Sequence, residues 1–114
     1  MDQRVQKVIS IMEDGFGQRL SVPLLAEAVN LSSWRLCHLF KSETKMAPLQ
    51  YLRVMRMEQA KRLLESTFLS VKQIMTEVGL RDESHFVRDF RTRYGLSPAK
   101  FRRRFLAKRR EFES

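Results

Sequence analysis

The chain says nearly the same thing twice. Leu20-Ser21-Val22 aligns with Leu69-Ser70-Val71, and Val29-Asn30-Leu31 with Val78-Gly79-Leu80. With one extra residue in the second copy, Phe40 aligns with Phe90, Pro48 with Pro98 and Tyr51 with Phe101. Most shared positions are apolar or turn-forming, and the residues between them differ. Two copies of one scaffold that present different surfaces would read this way. The repeat therefore confines the fold to a pair of like modules.

Periodicity gives the kind of module. Val5, Val8, Ile9, Met12 and Phe16 recur at helical spacing and predict an amphipathic helix closed by Gly15 and Gly17. Ser21 caps a second helix through "PLLAEAV", with Pro23 tolerated in its first turn, and Asn30 can take the left-handed conformation that stops it. Ser32 or Ser33 caps a third, to about Thr44. Pro48 opens a long fourth through Glu65. Ser70 caps a fifth that Gly79 stops, Asp82 caps a sixth to about Tyr94, and Ser97-Pro98 start a seventh through about Phe105. No run alternates at period two, so no sheet is expected. The expected class is all-α. Each repeat is helix, short turn (Asn30-Leu31-Ser32, then Gly79-Leu80-Arg81), helix: the helix-turn-helix arrangement, whose second helix can lie in the DNA major groove. Residues 1–48 are read as one such subdomain, 49–66 as a linker helix, and 67–114 as the second subdomain with a basic tail.

The charge is lopsided. The 114 residues carry a net +9. Residues 1–50 hold six basic and five acidic groups, and residues 51–114 hold 16 and eight. Seven of the eleven residues from Lys100 to Arg110 are basic. Such a field attracts polyanions, whether DNA, RNA or an anionic membrane. No apolar run is long enough to span a membrane, and "MDQRVQKVIS" lacks the apolar block of a signal peptide. The single cysteine, Cys37, allows no internal disulfide and suits a reducing cytoplasm.

The outer helix faces carry the chemistry. On the third helix Leu36, Leu39 and Phe40 lie on one side, and Trp34, Cys37, His38 and Lys41 on the other. An ordinary solvent face would carry Glu, Lys and Gln. Indole, imidazole, thiol and ammonium groups can instead read base edges and press on thymine methyls. On the sixth helix Phe86, Phe90 and Tyr94 face inward. Opposite them stand Ser84, Arg88 and Arg91, flanked by His85 and Val87. Arg88 suits a bidentate contact to guanine and Arg91, a turn later, a phosphate. Glu83 could accept from cytosine or simply favour the helix start. Cys37 and His38 do not read as zinc ligands, since adjacent helical residues diverge and no second Cys exists. No metal or cofactor is expected. No nucleophile–base set, paired carboxylates or Gly-rich phosphate loop is present, so no enzyme is expected either.

The stretch from Leu20 to Phe105 resembles the DNA-binding domain of the AraC/XylS family of bacterial transcription regulators. The second half is the more specific part. It matches the family signature at Gly79, Phe86, Arg88, Phe90, Gly95, Ser97, Pro98, Phe101 and Arg102, and places Leu80 where the family usually has an aromatic. The resemblance implies seven helices, with two helix-turn-helix subdomains joined by a long helix. Both recognition helices would enter adjacent major-groove segments of a promoter site. It places base reading on Trp34, Cys37 and His38 in the first module and on Glu83, Ser84, His85, Val87 and Arg88 in the second. Arg35, Lys41 and Arg91 are expected on phosphates. Cys37 and His38 stand where relatives commonly carry longer polar or basic side chains, which points to shape or methyl contact in the first module.

The fourth helix fits that reading. Eighteen residues at ~1.5 Å each span roughly 27 Å, and major-groove windows on one face repeat every ~34 Å. A monomer could then read a bipartite duplex site in the bacterial cytoplasm, at the nucleoid. RNA polymerase is a candidate partner and a membrane is not. Family members usually carry a separate sensor or dimerisation domain, through which a longer protein would dimerise. The 114 residues fit either a stand-alone regulator or a domain cut from such a protein. The alternative function class is a basic helical module binding RNA or a protein without specific DNA readout. An RNA reader would more often show exposed aromatics on a sheet.

Overall fold

The structure, a computed structural model, describes residues 1–15 and 17–113, and of residues 112 and 113 the backbone alone. Seven helices follow in order, with no strand among the described residues: α1 (Gln3–Gly15), α2 (Val22–Ala28), α3 (Ser33–Thr44), α4 (Pro48–Ser66), α5 (Val71–Val78), α6 (Glu83–Tyr94) and α7 (Pro98–Glu113). They form two compact units, Met1–Arg56 and Met57–Ser114, and α4 contributes to both.

The expected caps hold the expected helices. Ser21 accepts from the Leu24 amide at 3.3 Å and Ser32 from Arg35 at 3.1 Å. Ser70 accepts from Gln73 at 3.1 Å while the Gln73 side-chain carbonyl accepts from the Ser70 amide at 2.8 Å, a full capping box. Asp82 accepts from the His85 amide at 2.9 Å. The two turns also share their geometry. Asn30 (φ 58°) and Gly79 (φ 80°) are left-handed. The next amides, Leu31 and Leu80, donate to Ala26 and Met75 at 3.0 and 2.9 Å. Each helix thus ends in a Schellman motif. With α3 capped by Ser32 and α6 by Asp82, the extra residue of the second copy falls in the turn, at Arg81.

In the first unit Val5, Val8 and Met12 of α1, Leu25 and Ala26 of α2, Val29, Leu36 and Phe40 of α3 and Leu52 of α4 form the buried core. Phe16, expected on the apolar face of the first helix, lies outside the described residues. The Phe40 and Tyr51 rings meet edge-on at 5.3 Å. In the second unit Met57, Ala60, Leu64, Ile74, Met75, Val78, Phe86 and Phe90 are buried. The equivalent rings, Phe90 and Phe101, again meet edge-on, at 5.5 Å. The repeat in the sequence is thus a repeat in packing.

Two expectations need correction. The seventh helix does not stop near Phe105 but continues to Glu113. Neither Gly nor Pro follows Pro98, and Leu, Ala, Lys, Arg and Glu are all good helix formers, so nothing in the sequence breaks it. A helical wheel of α4 at 100° per residue puts Leu49 on one wide apolar face with Leu52, Met57, Ala60, Leu63 and Leu64, yet it is 46% exposed. The error lies in treating α4 as one stripe. Its early turns bury Leu52, with Tyr51 and Met55 partly covered, while its later turns bury Met57, Ala60 and Leu64. At 100° per residue these sets do not share a side. Leu49 falls in line with the later set, in turns where that side is not yet covered.

The same wheel puts Arg56 inside the apolar face, where an unpaired charge would be costly. Its half-buried guanidinium donates to the Gln18 carbonyl at 2.9 Å, just beyond the end of α1. Burial pulls its pKa below the ordinary arginine value, and the group stays charged throughout the working range.

Candidate nucleic-acid interface

The candidate reading residues sit on α3 and α6, each the second helix of a helix-turn-helix. Each helix is fixed by one buried aromatic face. Leu36 and Phe40 are fully buried on α3, and Phe86 and Phe90 are buried on α6. Such anchors settle which residues face outward.

On α3 Trp34, His38 and Lys41 are exposed and Cys37 is half-buried. On α6 Ser84, Arg88 and Arg91 are exposed and Val87 is half-buried. These are equivalent positions, at i, i+3, i+4 and i+7, and they share one burial pattern. The scaffold therefore presents the same four-residue stripe twice with different chemistry: indole, thiol, imidazole and ammonium once, then hydroxyl, isopropyl and two guanidinium groups. Glu83, His85 and Arg35 are exposed at the flanks of the stripes.

Trp34 is 69% exposed, so it is not a core residue of the first unit. Its ring lies 4.0 Å from that of His38, centroid to centroid, tilted by 44°. The contact joins residues one turn apart and leaves the indole positioned at the surface. Tryptophan held this way is suited to apolar contact with a flat partner. One backbone amide at each helix start is already used. The Arg35 amide is taken up by Ser32 and the His85 amide by Asp82, so the contribution of both residues rests on their side chains.

No group of three or more potential metal ligands occurs among the described residues. No described helix is long and apolar enough to cross a membrane. Sequence reading missed the role of one residue. Arg102 matched the family pattern, but the structure aims it inward at carbonyls. Its guanidinium donates to Leu64, Thr67 and Leu69, tying α7 to the end of α4 and the segment leading into α5. The signal was present in the unpaired carbonyls that every helix end leaves, but one arginine among seven basic residues could not be singled out.

A three-helix unit of this form, built twice around a paired Phe40–Tyr51 or Phe90–Phe101 contact, defines a tandem helix-turn-helix protein. Comparison with known proteins agrees. Residues 25–104 match the family described as a helix-turn-helix domain. The Msm operon regulatory protein of Streptococcus mutans is 33% identical over 99 residues, which cover 87% of this chain and 36% of that protein. Among solved structures, the DNA-binding domain of the global transcriptional factor AdpA, solved in complex with a target DNA, superposes with a TM-score of 0.86 at 32% identity. That match covers 93% of this chain and 96% of the other. A transcriptional regulator of the AraC-type DNA-binding group from Chromobacterium violaceum superposes with a TM-score of 0.83 at 27% identity, covering 90% and 92%. The chain belongs to the AraC/XylS family of transcription regulators, within their helix-turn-helix domain. It spans about a third of the length of the curated relatives it matches.

Proposed function

We propose that the protein binds a specific double-stranded DNA site and regulates transcription from it. In this reading α3 and α6 occupy adjacent major-groove segments. Trp34, Cys37 and His38 press on base edges and thymine methyls in one. Ser84, Val87 and Arg88 read the other, with Glu83 and His85 at its edge. Arg35, Lys41 and Arg91 meet phosphates. The observation that carries the reading is the duplicated stripe, with equal burial at four equivalent positions of two equivalent helices and different side chains in each copy. The repeated scaffold fixes the burial, and the change of chemistry from one copy to the other is what two halves of an asymmetric site require. The organisation into a first module of residues 1–48, a linker of 49–66 and a second module of 67–114 belongs to the same proposal. So do action as a monomer at the bacterial nucleoid and control exerted through RNA polymerase.

Selection of bound sequences from a random duplex pool tests it. The expected outcome is an asymmetric consensus with two blocks about one helical turn apart. Recovery of no consensus, with affinity unchanged between duplexes, would leave a basic module without sequence readout.

Arg88 and Arg91 separate reading from anchoring. Arg88→Ala is expected to cost about 1–3 kcal/mol on the selected site and to relax preference at one base pair. Arg91→Ala is expected to weaken all duplexes alike. Binding titrations on the selected site and on a scrambled duplex distinguish the two. Equal, sequence-blind losses would reduce Arg88 to a phosphate contact.

A further inference from the structure

Phe68 stands apart from the DNA-reading stripes and is 98% exposed, the most exposed large apolar side chain among those described. It lies in the segment between α4 and α5, and that segment is not slack. Arg102 holds the carbonyls of Thr67 and Leu69, on either side of Phe68. The Thr67 hydroxyl donates to the Leu63 carbonyl at 2.6 Å and accepts from the Leu69 amide at 3.3 Å. The phenyl ring is therefore presented to solvent on a fixed backbone.

Beside it opens a cleft of about 440 Å³, whose walls include Leu64, Glu65, Phe68, Leu106, Arg109 and Arg110. Leu106, Arg109 and Arg110 belong to the part of α7 that runs on past Phe105. The additional turns of that helix thus form one wall of the cleft. An aromatic anchor on a rigid backbone, next to an apolar recess with arginines on one side, is the composition of an interaction hot spot. Holding it in place beforehand lowers the ordering cost of binding.

We propose that this surface docks an acidic segment of another protein, with one apolar side chain of that segment seated in the cleft against Phe68 and carboxylates paired with Arg109 and Arg110. Charge complementarity selects the occupant. Arg109 and Arg110 outnumber Glu65 among the described lining residues, so the site favours an anion. A nucleic-acid backbone would meet Glu65 and has nothing to fill an apolar recess, whereas a peptide offers both features within a few residues.

Panning the whole chain against a random peptide library tests this directly. Enriched sequences are expected to place Asp or Glu around a single Phe, Leu or Ile. Synthesised and followed by fluorescence anisotropy, they are expected to lose at least about tenfold in affinity on Phe68→Ala. The joint change Arg109→Gln and Arg110→Gln is expected to give a loss of the same order. Phe68→Ala should leave the melting temperature and the affinity for duplex DNA unchanged, because its side chain packs on nothing. The proposal is overturned if no acidic–apolar sequence is enriched, or if the enriched peptides bind Phe68→Ala as well as the parent. Phe68-dependent binding of a labelled single-stranded oligonucleotide in place of the peptides would also overturn it.

Discussion

Arg102 and Arg88 have the same side chain and opposite assignments, and only their surroundings separate them. Arg88 is exposed on a helix face whose other side is buried aromatic. Arg102 is turned inward and donates to three carbonyls at the junction of α4 and α5. A planar guanidinium with several donors fits such a cluster, and a lysine ammonium on a flexible stem does not. Hydrogen bonds to charged groups contribute about 1.5–3 kcal/mol each at most, and the contributions overlap here because one side chain makes all three. Arg102→Lys is therefore expected to lower stability by about 2 kcal/mol, read as a fall in melting temperature of roughly 8–16 °C for a unit of this size. An unchanged melting temperature would mean that the three contacts contribute nothing net. The sequence marked both arginines as notable but offered a task only for Arg88, because the carbonyls that Arg102 meets lie more than 30 residues earlier in the chain.

At the scale of helices, what the sequence made legible was punctuation. Ser21, Ser32, Ser70, Asp82, Gly79 and Gly95 mark ends that the backbone obeys, because capping acts within three or four residues and is written locally. The length of α7 and the split phase of α4 were not legible. The first needed the absence of any stop to be taken as a signal, and the second needed knowledge of which turns are covered. One helix end shows how the repeats diverge. α6 ends on Gly95 at φ 85°, while α3 ends at the equivalent position on Lys45 at φ 68°. A left-handed lysine is strained by about 1–2 kcal/mol relative to its right-handed form, part of which glycine would return as extra freedom in the unfolded chain. Lys45→Gly is expected to raise stability by about 0.5–1 kcal/mol. Gly95→Ala is expected to lower it by about 1 kcal/mol, and cleanly, because an added Cβ there meets nothing within 4 Å. Denaturant titrations of both variants check the pair, and a gain from Gly95→Ala would contradict the account. Ser70→Ala removes the hydroxyl half of the capping box and is expected to cost about 1 kcal/mol by the same measurement.

Across the whole chain, charge is distributed unevenly. The basic excess lies almost entirely beyond residue 50, with 16 basic and eight acidic groups against six and five before it. The α3 stripe of the first module presents an exposed tryptophan and histidine, and the α6 stripe of the second presents two exposed arginines. Affinity and discrimination should therefore respond to salt in different ways. Phosphate contacts release counterions, so log affinity should fall linearly with log salt, by about 0.9 for each phosphate neutralised. Apolar contacts to bases leave that slope untouched. Arg91→Gln is expected to reduce the magnitude of the slope by about 0.9, on preferred and scrambled duplexes alike. Trp34→Ala is expected to leave the slope as it was and to narrow the gap in affinity between the two duplexes. Titrations of both variants across a range of potassium chloride concentrations measure slope and gap together. A parent slope near zero would mean that no phosphate is neutralised, and no arrangement of α3 and α6 on DNA would survive that result. A Trp34→Ala variant that changed the slope and kept the gap would place the tryptophan against the backbone, and the first module would then carry no sequence information at that position.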